Sequence, residues 1–168
     1  NQESMTESWL PFIIVMLPFL GFFLTGILGR KAGKGFSTIV SCGAPLLSFL
    51  IVGMIYLEYL TNSNSTAQIA VQSSLGTWLQ FGSGREMLNV KFDFQIDHLT
   101  MLMALVVTGV GTLIHIYSTG YMADVSATRY ARFFAYLNLF MGMMLILITG
   151  ANMLLLFIGW EGVGLCSY

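Results

Sequence analysis

Five stretches of this sequence, 9–28, 38–60, 97–117, 133–149 and 151–168, each hold at most one acidic residue and no Lys or Arg. Each is close to the ~20 apolar residues that an α-helix needs to cross a hydrocarbon core ~30 Å thick. Inside lipid every backbone N–H and C=O must be satisfied within the protein, so runs of this length form helices. Composition agrees, with 56% hydrophobic and only 9% charged residues, against about 25% charged in soluble domains. The expected fold class is therefore all-α, a polytopic transmembrane helix bundle with five spans. A net charge of −1 gives no reason to expect a nucleic-acid partner.

The first run follows Glu3 and Glu7 rather than basic residues, and no small-residue cleavage site follows it. A removable signal peptide is not expected. Pro18 should kink or loosen this helix, which membrane helices tolerate when neighbours re-satisfy the backbone. Residues 29–37 carry Arg30, Lys31 and Lys34 and no acid, and 118–132 carry Arg129 and Arg132 against Asp124. The orientation rule places both loops inside, with the amino terminus and residues 61–95 outside. Glu58, between Tyr56 and Tyr59, reads as an interfacial carboxylate.

The outer segment 61–95 opens with a flexible TNSNST linker, and residues 88–96, LNVKFDFQI, then alternate apolar and polar without a break. Period two over such a run predicts a half-buried strand. Residues 78–81 are its expected partner across Gly82, Ser83, Gly84 and Arg85, giving an extramembrane β-hairpin over about 77–96. Leu88, Val90, Phe92 and Phe94 should face protein, and Asn89, Lys91 and Asp93 water or a polar partner. Two strands alone are marginal in water, so the hairpin should lie on the helix mouths or on a neighbouring subunit. Asp97 is placed to cap the third span, and His98 lies at the same interface. His115, about one turn from the inner end, is a candidate proton relay, with a hydrogen-bonded interfacial role as the alternative. Gly150 and Ala151 leave almost no connection between spans four and five, which should pair antiparallel.

The fifth stretch, ANMLLLFIGWEGVGLCSY, holds one carboxylate, Glu161, nine residues beyond Asn152. At ~1.5 Å per residue that is ~14 Å along the helix, near the middle of a bilayer. An ionisable group there costs a few kcal/mol even on lenient scales, so it should face a bundle interior or a hydrated cavity and mark an ion or proton path. Packing is the alternative reading, and three features weigh against it. Gly159, Gly162 and Gly164 surround the carboxylate, so helices or water can approach closely. No Lys or Arg lies within a span to neutralise it, so its partner comes from elsewhere. Desolvation favours a neutral acid and a nearby cation favours its anion, and a carboxyl group poised between the two can load and release a proton. Cys42 and Cys166 sit in apolar runs and read as packing residues. No C-x-x-C, G-x-G-x-x-G or G-x-x-x-x-G-K-[ST] occurs, so no cluster, dinucleotide or ATP site is recognisable.

HIYSTGYM (115–122), RFF (132–134) and LLFIGWEGVGLCSY (155–168) resemble the amino-terminal part of the chain 5 or L-type antiporter-like membrane subunit of respiratory complex I. FDFQIDHLTMLM (92–103) is similar to the segment entering that family's third helix. The resemblance covers about the last 80 residues strongly and the first two spans only by pattern. It implies many transmembrane helices in inverted repeats, with proton half-channels meeting at the midplane. It also implies that Glu161 is the fifth-helix glutamate that pairs with a lysine on a later helix. That lysine and the family's long lateral helix are not among these residues, so the sequence is expected to be either a fragment or a part whose remainder lies outside it, and these residues alone cannot complete proton transfer.

The resulting expectation is a proton-translocating subunit of NADH:quinone oxidoreductase, in a bacterial inner or mitochondrial inner membrane. Flavin and iron–sulfur clusters would belong to partner subunits, with no cofactor and no metal in this chain. Its partners would be other membrane subunits, the lipid bilayer and protons. The alternatives are the large subunit of a multi-subunit Na⁺/H⁺ antiporter and a non-conducting structural subunit. Co-purifying redox proteins separate the first two, and mutation of Glu161 separates a conducting subunit from a scaffold.

Overall fold

The computed structural model describes residues 6–7, 9–61, 71–81 and 88–168. In chain order they form β1 (Thr6–Glu7), α1 (Leu10–Thr61), β2 (Val71–Phe81), β3 (Leu88–Ile96), α2 (His98–Tyr121), α3 (Ala127–Thr149) and α4 (Met153–Ser167). The molecule is predominantly helical, and among the described residues α1, α2 and α3 are long and apolar enough to cross a membrane. α4, with 15 residues, is shorter, about 22 Å at the helical rise.

α1 is a hairpin of two arms, 10–32 and 34–61, that reverses at Gly33, whose φ of 87° and ψ of 179° are the one non-helical pair in the element. That backbone region is open essentially to glycine alone. In one straight helix Ile14 and Ser48 would stand ~51 Å apart, yet the Ser48 hydroxyl donates to the Ile14 carbonyl at 3.0 Å. Gly21, Thr25 and Gly29 on one arm meet Ser37, Ser41 and Ala44 on the other. Such small-residue stripes let membrane helices approach closely. The expected loop 29–37 is therefore helical on both sides of a one-residue reversal. Pro18 and Pro45 sit within arms whose φ/ψ remain helical.

β2 and β3 pair antiparallel, and β1 adds to β2 in parallel, giving the order β1-β2-β3. The register slips between Ser74 and Thr77, where Gly76 adopts φ 99°. A glycine at positive φ is the usual pivot of such a bulge. β2 starts earlier than expected, at Val71 rather than near 77, because alternation is hidden by the serines and the bulge. The expected hairpin loop 82–85 and most of the linker lie outside the described residues, as do the side chains of Leu88 and Asn89.

Lys91 is exposed and Phe94 fully buried, as the alternation requires. Asp93 departs from the expectation, being buried, with Oδ2 accepting from Gln72 Nε2 at 3.4 Å. The reason is local: the turn between α3 and α4 closes over this part of β3, through a Phe94–Gly150 bridge and a 3.0 Å bond from Ala151 N to the Asp93 carbonyl.

The hydrophobic core, including Ile14, Val52, Phe94, Met101 and Leu145, lies beneath the sheet. Deeper along the helices the buried positions become small or polar: Thr25, Ser41, Thr108, Thr112, His115 and Asn138. Asp97 caps α2 as expected, its Oδ1 accepting from Thr100 N at 2.8 Å. That backbone N–H bond, the leading cause, holds the Asp97 carboxyl below its ordinary range against a smaller opposing desolvation. His98 stacks edge-on to Tyr59 and hydrogen-bonds its hydroxyl, which joins the start of α2 to the end of α1. α2 continues to Tyr121 and α3 begins at Ala127, so the inner connection is shorter than the expected loop 118–132.

Candidate functional site

α4 is positioned at its first turn and at its middle. Asn152 is its N-cap, with Oδ1 accepting from Leu155 N at 3.0 Å, which satisfies one of the free N–H groups that open a helix. Leu155 and Gly159 are its buried residues. A Cβ on Gly159 would lie 2.6 Å from the backbone nitrogen of Leu147, so α4 rests directly on the main chain of α3 there. Gly162, one turn on, faces Met143 of α3, whereas Gly164 faces open space. The expected close approach thus holds for Gly159 and Gly162 and not for Gly164.

Glu161 lies on the face turned away from α3 and is exposed, as are Phe157, Trp160 and Leu165. It is the only charged residue of the helix. Its carboxylate has no hydrogen-bond or ion-pair partner among the described residues. The described helices therefore form its support and not the enclosure expected around it. An ionised group on an otherwise apolar membrane face is costly until it meets a partner or a hydrated space.

His115 is in a different place. It is 1% exposed, on the buried face of α2 shared with Thr108, Thr112 and Ser118. The longer α2 explains why it is deeper than one turn from the inner end. Its Nδ1 lies 2.8 Å from the Gly111 carbonyl, so in the neutral ring Nδ1 donates and Nε2 carries the lone pair. Nε2 is buried without a partner among the described residues. The ring packs near Phe134 of α3, 6.4 Å between centroids. It lines a cavity of about 230 Å³ whose other walls, such as Val107, Leu137 and Met141, are apolar. The structure does not bring His115 and Glu161 together: α3 packs against both α2 and α4 and stands between them.

Five cations gather at the end of the bundle that holds Gly33 and the turn between α2 and α3, whereas Lys91 is exposed on β3 at the other end. Arg30, Lys31, Arg129 and Arg132 are exposed, and Lys34 donates to the Ala123 carbonyl at 2.8 Å beside the Tyr130 ring. Among the described residues no three His, Cys, Asp or Glu side chains form a metal-binding group. Sequence reasoning missed two things here. Asn152 carries a capping signal, Asn before Met-Leu-Leu-Leu, that could have been read. Its second bond, from Nδ2 to the Lys91 carbonyl at 2.6 Å, joins residues 61 apart and has no sequence signature.

A family model described as NADH-Ubiquinone oxidoreductase (complex I), chain 5 N-terminus, matches residues 78–134. Among curated relatives, chain 5 of NADH-ubiquinone oxidoreductase from Talaromyces marneffei is 41% identical over 155 residues, 92% of this chain and 22% of the relative. NADH-quinone oxidoreductase subunit L from Escherichia coli (strain K12) is 38% identical over 156 residues, 93% of this chain and 24% of the relative. Subunit L from Mycobacterium tuberculosis (strain ATCC 25618 / H37Rv) is 40% identical over 161 residues, 96% of this chain and 24% of the relative. The chain thus spans 22–24% of the length of these relatives. Residues 78–134, from the hairpin through α2 into the start of α3, thus match the family of the chain 5 amino terminus of complex I, and over 92–96% of its length the chain is similar to chain 5 and subunit L proteins.

Proposed function

We propose that this chain is part of a proton-translocating membrane subunit of NADH:quinone oxidoreductase, and that Glu161 takes up and releases the proton. The observation that carries the reading is the position of Glu161: one carboxylate on an apolar face of α4, nine residues past the cap, ~14 Å along the helix. A residue placed only for packing would be expected on the buried face with Leu155 and Gly159. On the opposite side the carboxylate is offered to whatever covers that face. A cation brought close favours the anion, and its withdrawal in a dry site favours the neutral acid. Alternation between these conditions moves a proton, and a pKa change of one unit corresponds to ~1.4 kcal/mol.

In this reading the chain crosses the membrane five times, through the two arms of α1 and through α2, α3 and α4. The membrane is the bacterial or mitochondrial inner membrane, and other membrane subunits surround the bundle. Electron transfer through flavin and iron–sulfur clusters belongs to partner subunits. His115 is a second proton-exchanging group on a separate path, supported by its buried Nε2.

The test is proton translocation per electron by the reconstituted complex, with assembly measured separately. Glu161→Gln keeps volume and a hydrogen-bonding head but removes titration, and should sharply reduce pumping through this subunit. Glu161→Asp should retain part of it. Normal pumping by an assembled Glu161→Gln complex would make Glu161 structural. His115→Gln should lower the rate, and an unchanged rate would remove His115 from the path.

A further inference from the structure

Three contacts join β3 to the three residues between α3 and α4. Phe94 bridges Gly150, Ala151 N donates to the Asp93 carbonyl at 3.0 Å, and Asn152 Nδ2 donates to the Lys91 carbonyl at 2.6 Å. The third differs from the others because Asn152 uses both ends of its amide. Oδ1 accepts from Leu155 N and fixes the first turn of α4, while Nδ2 holds the strand. A capping Asp could do the first task and has no donor for the second, and a Ser carries a single oxygen that cannot stand at both positions.

The strand is itself anchored. β3 pairs along its length with β2 and runs through Asp97, the cap of α2, into that helix. β3 is thus a strut between the starts of α2 and α4. A helix is stiff along its axis, so a shift at its first turn is carried to residues further along, including Glu161. Gly159 adds a constraint: with α4 on the backbone of α3 at Leu147, its sideways freedom is small. Axial height and rotation remain, and these are what a bond at the first turn controls.

We propose that Asn152 is a positioning residue for Glu161: its two-ended amide ties the height of α4 to the outer strand β3 and thereby sets where the carboxylate meets its proton partner. The inference rests on Glu161 being the proton-exchanging group and adds the element that holds it in place.

The test uses the full-length subunit in its membrane complex. Asn152→Ser keeps an acceptor for Leu155 N and removes the bond to the Lys91 carbonyl. It should leave assembly intact, reduce proton translocation roughly two- to tenfold, the scale of one lost hydrogen bond, and shift the pH profile of the rate. Ser48→Ala removes a buried bond to the Ile14 carbonyl, remote from α4, and should leave that profile unmoved. On a Glu161→Asp background, which already misplaces the carboxylate, Asn152→Ser should cost much less than it does alone. Asn152→Asp, which caps and has no donor at all, decides the matter if the Ser variant fails to assemble. Normal translocation with an unmoved pH profile in the assembled variant overturns the proposal, and so do effects at 152 and 161 that simply multiply. Normal pumping by Glu161→Gln instead removes the proton-site reading itself, and the positioning role with it.

Discussion

The hydroxyls of Thr25 and Ser41 meet at 3.1 Å in the interior of the bundle, across the two arms that Gly33 folds together. Neither is exposed, so each hydroxyl depends on the other for its partner. Hydrogen bonds between membrane helices average about 0.6 kcal/mol and reach about 1.7, while a stranded buried hydroxyl costs about 1–3 kcal/mol. Ser41→Ala and Thr25→Val should each lower stability, and the double variant should lie closer to the parent than the sum of the two. Unfolding in mixed micelles measures this coupling, and strict additivity would show that the pair is not a unit.

Gly159→Ala should be far more damaging than Gly164→Ala. The new methyl at 159 meets the backbone nitrogen and Cα of Leu147 at 2.6 and 2.7 Å, and backbone cannot swing aside as a side chain does. Overpacking of this kind costs about 1–3 kcal/mol. At 164 the space is open. Detergent melting of the two variants gives the comparison, and equal stability would mean that α4 does not rest on α3 at this point.

Acid should weaken the start of α2. The Asp97 carboxyl is held below its ordinary value, chiefly by the Thr100 N–H, so its contribution belongs to the charged form. It is fully present above the unfolded carboxylate value of about 3.9 and is lost as pH falls through the lower folded value. Asp97→Ala should cost about 1 kcal/mol near pH 7, and Asp97→Asn should keep much of the cap while flattening the acid dependence. Melting temperatures from about pH 7 down to about pH 2, below the unfolded carboxylate value, are the measurement. A parent and an Asn variant with the same acid slope would exclude Asp97 as a source.

Cysteines at Ser126, in the turn between α2 and α3, and at Gln80, on the exposed part of β2, should react with impermeant reagents from opposite sides of the membrane, once Cys42 and Cys166 are replaced. The orientation rule assigns Ser126 to the inside, where Arg129 and Arg132 follow it. Labelling of both from one side would overturn the topology.

The helices were legible because apolar length and loop charge are local properties, and so was the cap at Asp97. The reversal at Gly33 was legible only as a basic loop, since nothing in GRKAGKG distinguishes a flexible connection from a one-residue turn between two arms. Asp93 went the other way: alternation puts it on the wet face, and the turn at Ala151, 58 residues later, covers it. Glu161 was found by its isolation in an apolar run, but which side of α4 carries it depends on where Gly159 lets α3 approach. His115 was visible as a residue and not as a depth, because the end of α2 is set by the turn at Met122 and not by hydropathy.

The bond from Asn152 to Lys91 also has a direction in time. Lys91 precedes Asn152 by 61 residues, which at about 5–20 residues per second is a lead of roughly 3–12 s during synthesis. Hairpins form in about 1–10 μs. The Leu147 backbone on which Gly159 rests is likewise made first. The ribosome therefore delivers α4 onto a platform whose strand and neighbouring helix already exist, and an error in the hairpin is inherited by the later helix as a wrong depth of insertion, with its helical content untouched.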